Sequence, residues 1–207
     1  MKDKLFIIIQ FMQIVIIAIS FSFLINGCNC IPCSEKEEAQ IPLDVLKKTD
    51  QFIISKTGDE FFKKYITADF FQSKHIAPNY LLVYKFYMPE KQFVDELIRF
   101  TVDSTGKVLT QYEVVGIPGC NTNLNDCDFV VDEKIARQIA IENGLPKGIN
   151  DWKIDFAWES KYNKYVWRLL STLKESKGDF GYRADGEQIV IDPNNSSVIF
   201  QDRWQIK

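Results

Sequence analysis

Few side chains in this sequence have the means to do chemistry. There are five cysteines, Cys28, Cys30, Cys33, Cys120 and Cys127, and one histidine, His75. Cys30-Ile31-Pro32-Cys33 has the spacing of a thiol–disulfide redox pair. That chemistry needs a helix N-terminus or a cation beside one sulfur to lower its pKa, whereas this pair precedes a charged, linker-like stretch. The two cysteine pairs have unequal spacings and fit a four-thiolate zinc site poorly. A single histidine gives no His-based metal cluster, and a Ser-His-Asp triad would have to use His75 without a recognisable nucleophile elbow. Asn121, Asn123, Asn125, Asp126 and Asp128 bracket Cys127, with Asp132 further on. Their odd-position spacing is that of a calcium loop, which also needs a sharp-turn glycine where Asp126 stands. The plainer reading is a disulfide-pinched loop, flanked by Pro118-Gly119, joining two parts of the chain. No phosphate loop, paired-carboxylate motif or cofactor fingerprint is present, so no cofactor is expected and the chain reads as a non-enzyme.

The N-terminus carries a different kind of chemistry. Lys2 and Lys4 precede an almost wholly apolar run from Leu5 to Ile25. A basic head before an apolar run is the pattern of an export signal, although about 20 apolar residues could also span a bilayer. Leu24-Ile25-Asn26-Gly27-Cys28 resembles a bacterial lipobox, with Gly27 as the small residue before the cut. The resemblance implies a signal peptide over 1–27 and thioether-linked diacylglycerol on Cys28, usually with a third acyl chain. Burial of acyl chains contributes about 0.8 kcal/mol per CH₂, and two chains suffice for stable anchoring. The expected location is therefore a bacterial cell membrane or outer membrane, facing periplasm or exterior. Four cysteines then remain in an oxidising compartment. They allow three pairings, of which Cys30–Cys33 with Cys120–Cys127 closes local loops.

Charge narrows the partners. Lys2, Lys4 and Asp3 give the signal +1, so the whole-chain −3 becomes −4 for residues 28–207. A mildly acidic chain without a Lys/Arg cluster has no phosphate-binding footprint, so nucleic acid is not expected as a partner.

The remaining length suits an α+β unit arranged as two halves. Residues 28–48 read as the lipidated end and an acidic tether (Glu35, Glu37, Glu38). The first half, 49–117, is expected to begin its structure at Thr57. Thr57-Gly58-Asp59-Glu60 has capping-box form, and Phe61, Phe62, Tyr65 and Ile66 supply one helix face. Strands follow at Tyr80–Met88, Glu96–Asp103 and Lys107–Val115. A linker covers 118–131. In the second half, 132–207, Asp132 caps a helix with Ile135, Ala136, Ile139 and Ala140 as its apolar face, stopped by Gly144 and Pro146. Strands are expected at Trp152–Glu159, Lys164–Leu173, Glu187–Asp192 and Val198–Ile206. Trp152, Trp158, Trp167 and Trp204 belong to the core on this reading. Residues 174–186 form an inserted loop whose Phe180 and Tyr182 are the candidate partner contacts.

The halves share an order: helix, strands, then a hairpin whose first strand ends in Asp103 or Asp192. Residues 132–206, with Tyr165-Val166-Trp167 and the closing Ile189-Val190-Ile191-Asp192-Pro193 hairpin, resemble a PepSY-type domain. Residues 57–115 resemble a shortened second copy without a clear first strand. The resemblance implies two helix-plus-antiparallel-sheet repeats, no active site, and a role in binding or restraining an envelope protein, a protease among them. An envelope redox protein using Cys30 and Cys33, or a structural or immunity-type lipoprotein, are the competing readings.

Overall fold

The computed structural model describes residues 41–120, 127–178 and 181–206, all within one compact unit. Its elements begin earlier than the sequence suggests. Helix α1 spans Leu43–Thr57 and α2 spans Asp59–Tyr65, so the boundary expected after residue 48 falls inside a helix. The buried face of α1 is Val45, Thr49, Ile53 and Thr57, a strict four-residue period in which threonine fills every second place. These hydroxyls are tolerated because each is bonded. Thr49 Oγ1 donates to Leu46 O (2.8 Å) and meets Tyr84 Oη, and Thr57 Oγ1 reaches Ile53 O (3.1 Å). Thr57 is thus the last residue of α1 and not the cap of α2. Gly58, at φ +83°, turns the chain between the two helices, and neither helix start has a side-chain cap.

The first sheet centres on β3 (Asn79–Tyr87). Both β1 (Ile66–Ala68) and β2 (Lys74–Ile76) pair with one edge of β3, and β4 (Asp95–Val102) pairs with the other, all antiparallel. β1 and β2 occupy one strand position, interrupted where Ser73 Oγ accepts from Val83 N (3.0 Å) and Asp69 N donates to Val83 O. The expected strand over Lys107–Val115 is only two isolated bridges onto β4, Val102–Val108 and Arg99–Val115. Leu109 N still donates to Thr101 O, and pairing then breaks because Thr110, Gln111 and Tyr112 leave the sheet through a turn, Tyr112 N donating to Leu109 O.

The second half starts with α3 (Glu133–Glu142), whose Asp132 cap accepts from Ile135 N at 2.8 Å. Ala136 and Ala140 are buried against the sheet, while Ile135 faces solvent at 42% exposure. Small alanines bring the backbone close to the sheet and leave no room on that face for a larger residue one position away. Strands β5 (Lys153–Glu159), β6 (Lys164–Gly178), β7 (Gly181–Ile191) and β8 (Val198–Ile206) then form an antiparallel meander in chain order. The stretch expected as an inserted loop is mostly strand. A bulge between Thr172 and Lys174 shifts the register, after which Glu175 faces Ala184 and Lys177 faces Tyr182. The result is a two-stranded ribbon projecting past β5.

One core serves both halves. Its centre is a chain of rings. Phe86 of β3 lies 5.6 Å from Tyr165 of β6; Phe129 of the linker meets Phe86, Phe156 and Tyr165; Phe93, which follows β3, packs on Phe156 and Trp167. Hydrogen bonds cross with the rings. Tyr165 Oη donates to Gly116 O (2.8 Å), Trp167 Nε1 to Val131 O (2.8 Å) and Phe129 N to Asn194 Oδ1 (2.8 Å). Gly116 sits at φ +84°, and a Cβ there would stand 2.6 Å from Leu97 O and 3.0 Å from Tyr165 Oη. Only glycine lets the chain pass this crossing.

Candidate functional site

A concavity lies where α1, α2, the turn after β3 and the linker meet. It is a cleft of about 860 Å³, within the range of binding sites. Gly58 swings α2 outward, which leaves Phe61 and Tyr65 along one wall. Met88 and the sulfurs of Cys120 and Cys127 form the floor, and Val130 stands half-exposed at the rim. Cys120 and Cys127 are joined in a disulfide and both are buried. The bond brings the two ends of the linker together, so it shapes the cleft floor. Phe61 packs edge-on to Tyr65 (4.9 Å) and against Phe86 (5.7 Å), tying this wall to the core.

Charged groups crown the apolar floor. Tyr65 Oη donates to Glu90 Oε1, and Lys64 Nζ donates to Tyr65 Oη (2.5 Å) and to Glu90 Oε1 (3.1 Å). The Tyr65 hydrogen bond is the main reason the Glu90 carboxyl falls to about 2. Burial, and then the Glu90 bond, hold the Tyr65 phenol above its ordinary value, and the bonds to Tyr65 and Glu90 raise Lys64. All three effects deepen the protonation states these groups already hold near neutrality. The trio is a fixed polar clamp and not an acid–base pair poised to exchange protons, for which a pKa near the working pH is needed. Lys91 Nζ, on the same rim, donates to Phe129 O (3.2 Å). With Glu60 and Asp128 the rim carries both signs of charge. Such a site can seat an apolar side chain and hold a polar backbone or charged neighbour beside it.

The other candidate residues are placed elsewhere. Tyr182 is half-exposed on the projecting ribbon, and its hydroxyl donates to Glu175 Oε2 (3.0 Å). Phe180, Cys28, Cys30 and Cys33 lie outside the described residues, as do Asn121, Asn123, Asn125 and Asp126. Among the described residues no group of three His, Cys, Asp or Glu side chains converges on a point, and no helix is long and apolar enough to cross a membrane. His75 is exposed on β2 and stacks on Tyr80 at 4.7 Å. Trp167 is buried. Trp152, Trp158 and Trp204 are half-buried, Trp152 donating to Pro146 O and Trp204 to Glu187 O. Nothing local in the sequence marks Tyr65, Lys64 and Glu90 as a group, because the chain between them is two strand positions and a turn.

The two halves share an order: helix (two in the first half, one in the second), a first strand position, two long strands, and a far-edge position that is a strand in the second half and two isolated bridges in the first. Their closing turns also match. Asp103 Oδ1 accepts from Thr105 N (2.8 Å), and Asp192 Oδ1 accepts from Asn194 N (2.9 Å), each carboxylate holding the turn that follows its strand. No protein-family model, curated protein or solved structure matches the chain.

Proposed function

We propose that this is an exported bacterial envelope protein, anchored by lipid on Cys28, whose folded unit is a non-catalytic module that binds, and in binding restrains, another envelope protein such as a protease. The observation that carries the reading is the cleft, lined by Met88, Phe61 and the disulfide beneath a clamped, mixed-charge rim. Apolar concavity with a few fixed polar groups is the usual form of a recognition site. The matched order of elements and the matched Asp103 and Asp192 turns support two PepSY-like repeats, a fold type that the resemblance links with such roles. The lipobox-like Leu24-Ile25-Asn26-Gly27-Cys28 supports the anchor.

The test uses the tagged full-length chain, extracted in mild detergent, to capture proteins from envelope extracts. Val130→Glu puts a charge on the cleft rim at an exposed position, so the fold is retained. The expected result is specific enrichment of an envelope protein by the native chain and at least tenfold loss with Val130→Glu. Failure of the native chain to enrich any protein over a charge-matched control would overturn the reading. Cys28→Ser is expected to abolish labelled-palmitate incorporation and release the protein from membranes; retention of the label would remove Cys28 as the lipidated residue.

A further inference from the structure

A second recognition surface, independent of the cleft, lies on the far edge of the second sheet. β8 is nine residues long and pairs only with β7. Among the described residues no strand adjoins its outer side. The other edges are less open. The β4 edge is bridged by Val108 and Val115, and the β1–β2 edge is broken in two. β5 faces the first half, its Phe156 packing on Phe93 at 5.2 Å. Free edges are hazards that folds normally blunt, so a long open one calls for an occupant.

The side chains of β8 state what fits. Val190 pairs with Phe200, Gln188 with Asp202 and Gly186 with Trp204. Val190 is fully buried yet lies outside the main core, so these residues share the outer face of the sheet. There Trp204 lies over Gly186, where a Cβ would come within 2.9 Å of its ring, and Gln188 Nε2 holds Asp202 Oδ1 at 2.7 Å. The stripe therefore reads Phe200, Asp202, Trp204, Ile206, with a fixed carboxylate between two aromatic rings. Arg203 projects from the opposite face, paired with Glu187.

A second copy fits this edge badly. A two-fold pairing keeps faces together, so opposing residue numbers must share parity. The register that uses the whole strand centres on Asp202 and sets two carboxylates face to face. Moving the centre to Arg203 opposes two guanidinium groups, and moving it to Gln201 sets Asp202 against Phe200. Like charges directly opposite destabilise a strand pair. The same charges complement a different strand.

We propose that the outer edge of β8 takes an extended peptide by antiparallel β-addition, with apolar residues opposite Trp204 and Phe200, a basic residue opposite Asp202 and an acidic one opposite Arg203. Read from its N-terminus, the bound strand is apolar, acidic, basic, any residue, apolar. Main-chain hydrogen bonds supply affinity, and alternate side chains supply selection.

The probe is the peptide acetyl-Thr-Val-Glu-Lys-Thr-Val-Thr-amide, added to the full-length protein in detergent. The readouts are its affinity and the deuterium exchange of segment 198–206. We expect slowed exchange confined to that segment. Asp202→Lys is expected to weaken binding at least tenfold, and a peptide with Glu in place of its Lys to restore it. Asp202→Asn serves as a milder second variant, expected to lose several-fold. An alternately N-methylated peptide, which keeps the side chains but cannot pair as a strand, is expected not to bind. Unchanged exchange at saturating peptide, equal binding of the methylated peptide, or indifference to both Asp202 variants would overturn the proposal. So would concentration-dependent dimerisation that protects 198–206 without peptide, which would assign the edge to a second copy. Because Val130 and the cleft are untouched, failure here leaves the capture experiment to decide the binding-module reading.

Discussion

Glu96 is a carboxylate whose protonation depends on its surroundings. It lies half-buried on β4, and burial, the neighbouring Asp95 and the charge of Asp155 push its carboxyl up to about 7, against a smaller opposing pull from Arg99. The folded state thus favours the protonated form. Its contribution to stability is complete below the ordinary glutamate pKa of 4.5 and is lost as pH rises through about 7. Glu96→Gln removes that dependence. The variant is expected to match the native protein at pH 4 and to exceed it at pH 8 by about 1 kcal/mol, a value reduced for solvent screening of a half-exposed group. Urea titrations at the two pH values read this directly, and a constant difference between them would contradict it. Asp95 and Arg99 are close in sequence, but the burial that dominates the shift and the approach of Asp155 from the other half come only with the fold. Asp132 is the contrasting case. Its cap bond spans three residues, so local spacing was enough to find it.

At the scale of elements, legibility followed the kind of residue that carries each period. α3 and β5 were readable because aliphatic and aromatic side chains mark their faces. α1 was hidden because Thr49 and Thr57 fill half of its buried stripe and are satisfied by bonds that no composition rule reveals. The far part of β6 and β7 was hidden for the opposite reason. Lys174–Gly178 and Gly181–Arg183 are exposed on both faces, so the ribbon has no apolar alternation to read and is held by main-chain pairing with one cross-strand side-chain bond, Tyr182 to Glu175. That makes a prediction. Residues 176–178 and 181–183 are all exposed, so replacing 176–183 with Asn-Gly, a favoured two-residue hairpin turn, should change the stability by no more than about 0.5 kcal/mol. Thermal unfolding followed by circular dichroism checks this. A larger loss would mean that the ribbon packs against the rest of the molecule. If the ribbon's Tyr182 contributes to partner capture, the same variant will lose capture while keeping its melting temperature, which separates it from damage to the fold.

The whole molecule is divided in its topology and joined in its core. Each half has its own helix and sheet, yet the rings of Phe86, Phe129, Phe156 and Tyr165 form one stack across the junction, and the linker is bonded to both sides. A lone half would expose these rings and orphan Gly116 O, which Tyr165 caps. The halves should therefore unfold together. Two substitutions test the point from different directions. Replacing Cys120 and Cys127 with alanine opens an eight-residue loop, for which chain entropy gives a loss of about 2.5 kcal/mol; the rings stay in place, so calorimetry should still record a single transition at lower temperature. Phe129→Ala removes the ring at the centre of the stack and should cost about 3–5 kcal/mol, as large-to-small changes in buried aromatics do. If the stack couples the halves, this variant alone lowers the ratio of van't Hoff to calorimetric enthalpy, because the halves begin to unfold at separate temperatures. If both variants keep that ratio at one, cooperativity resides in the linker's hydrogen bonds and not in the rings. If the native protein already shows two transitions, the halves are independent and the ring contacts only steady their orientation.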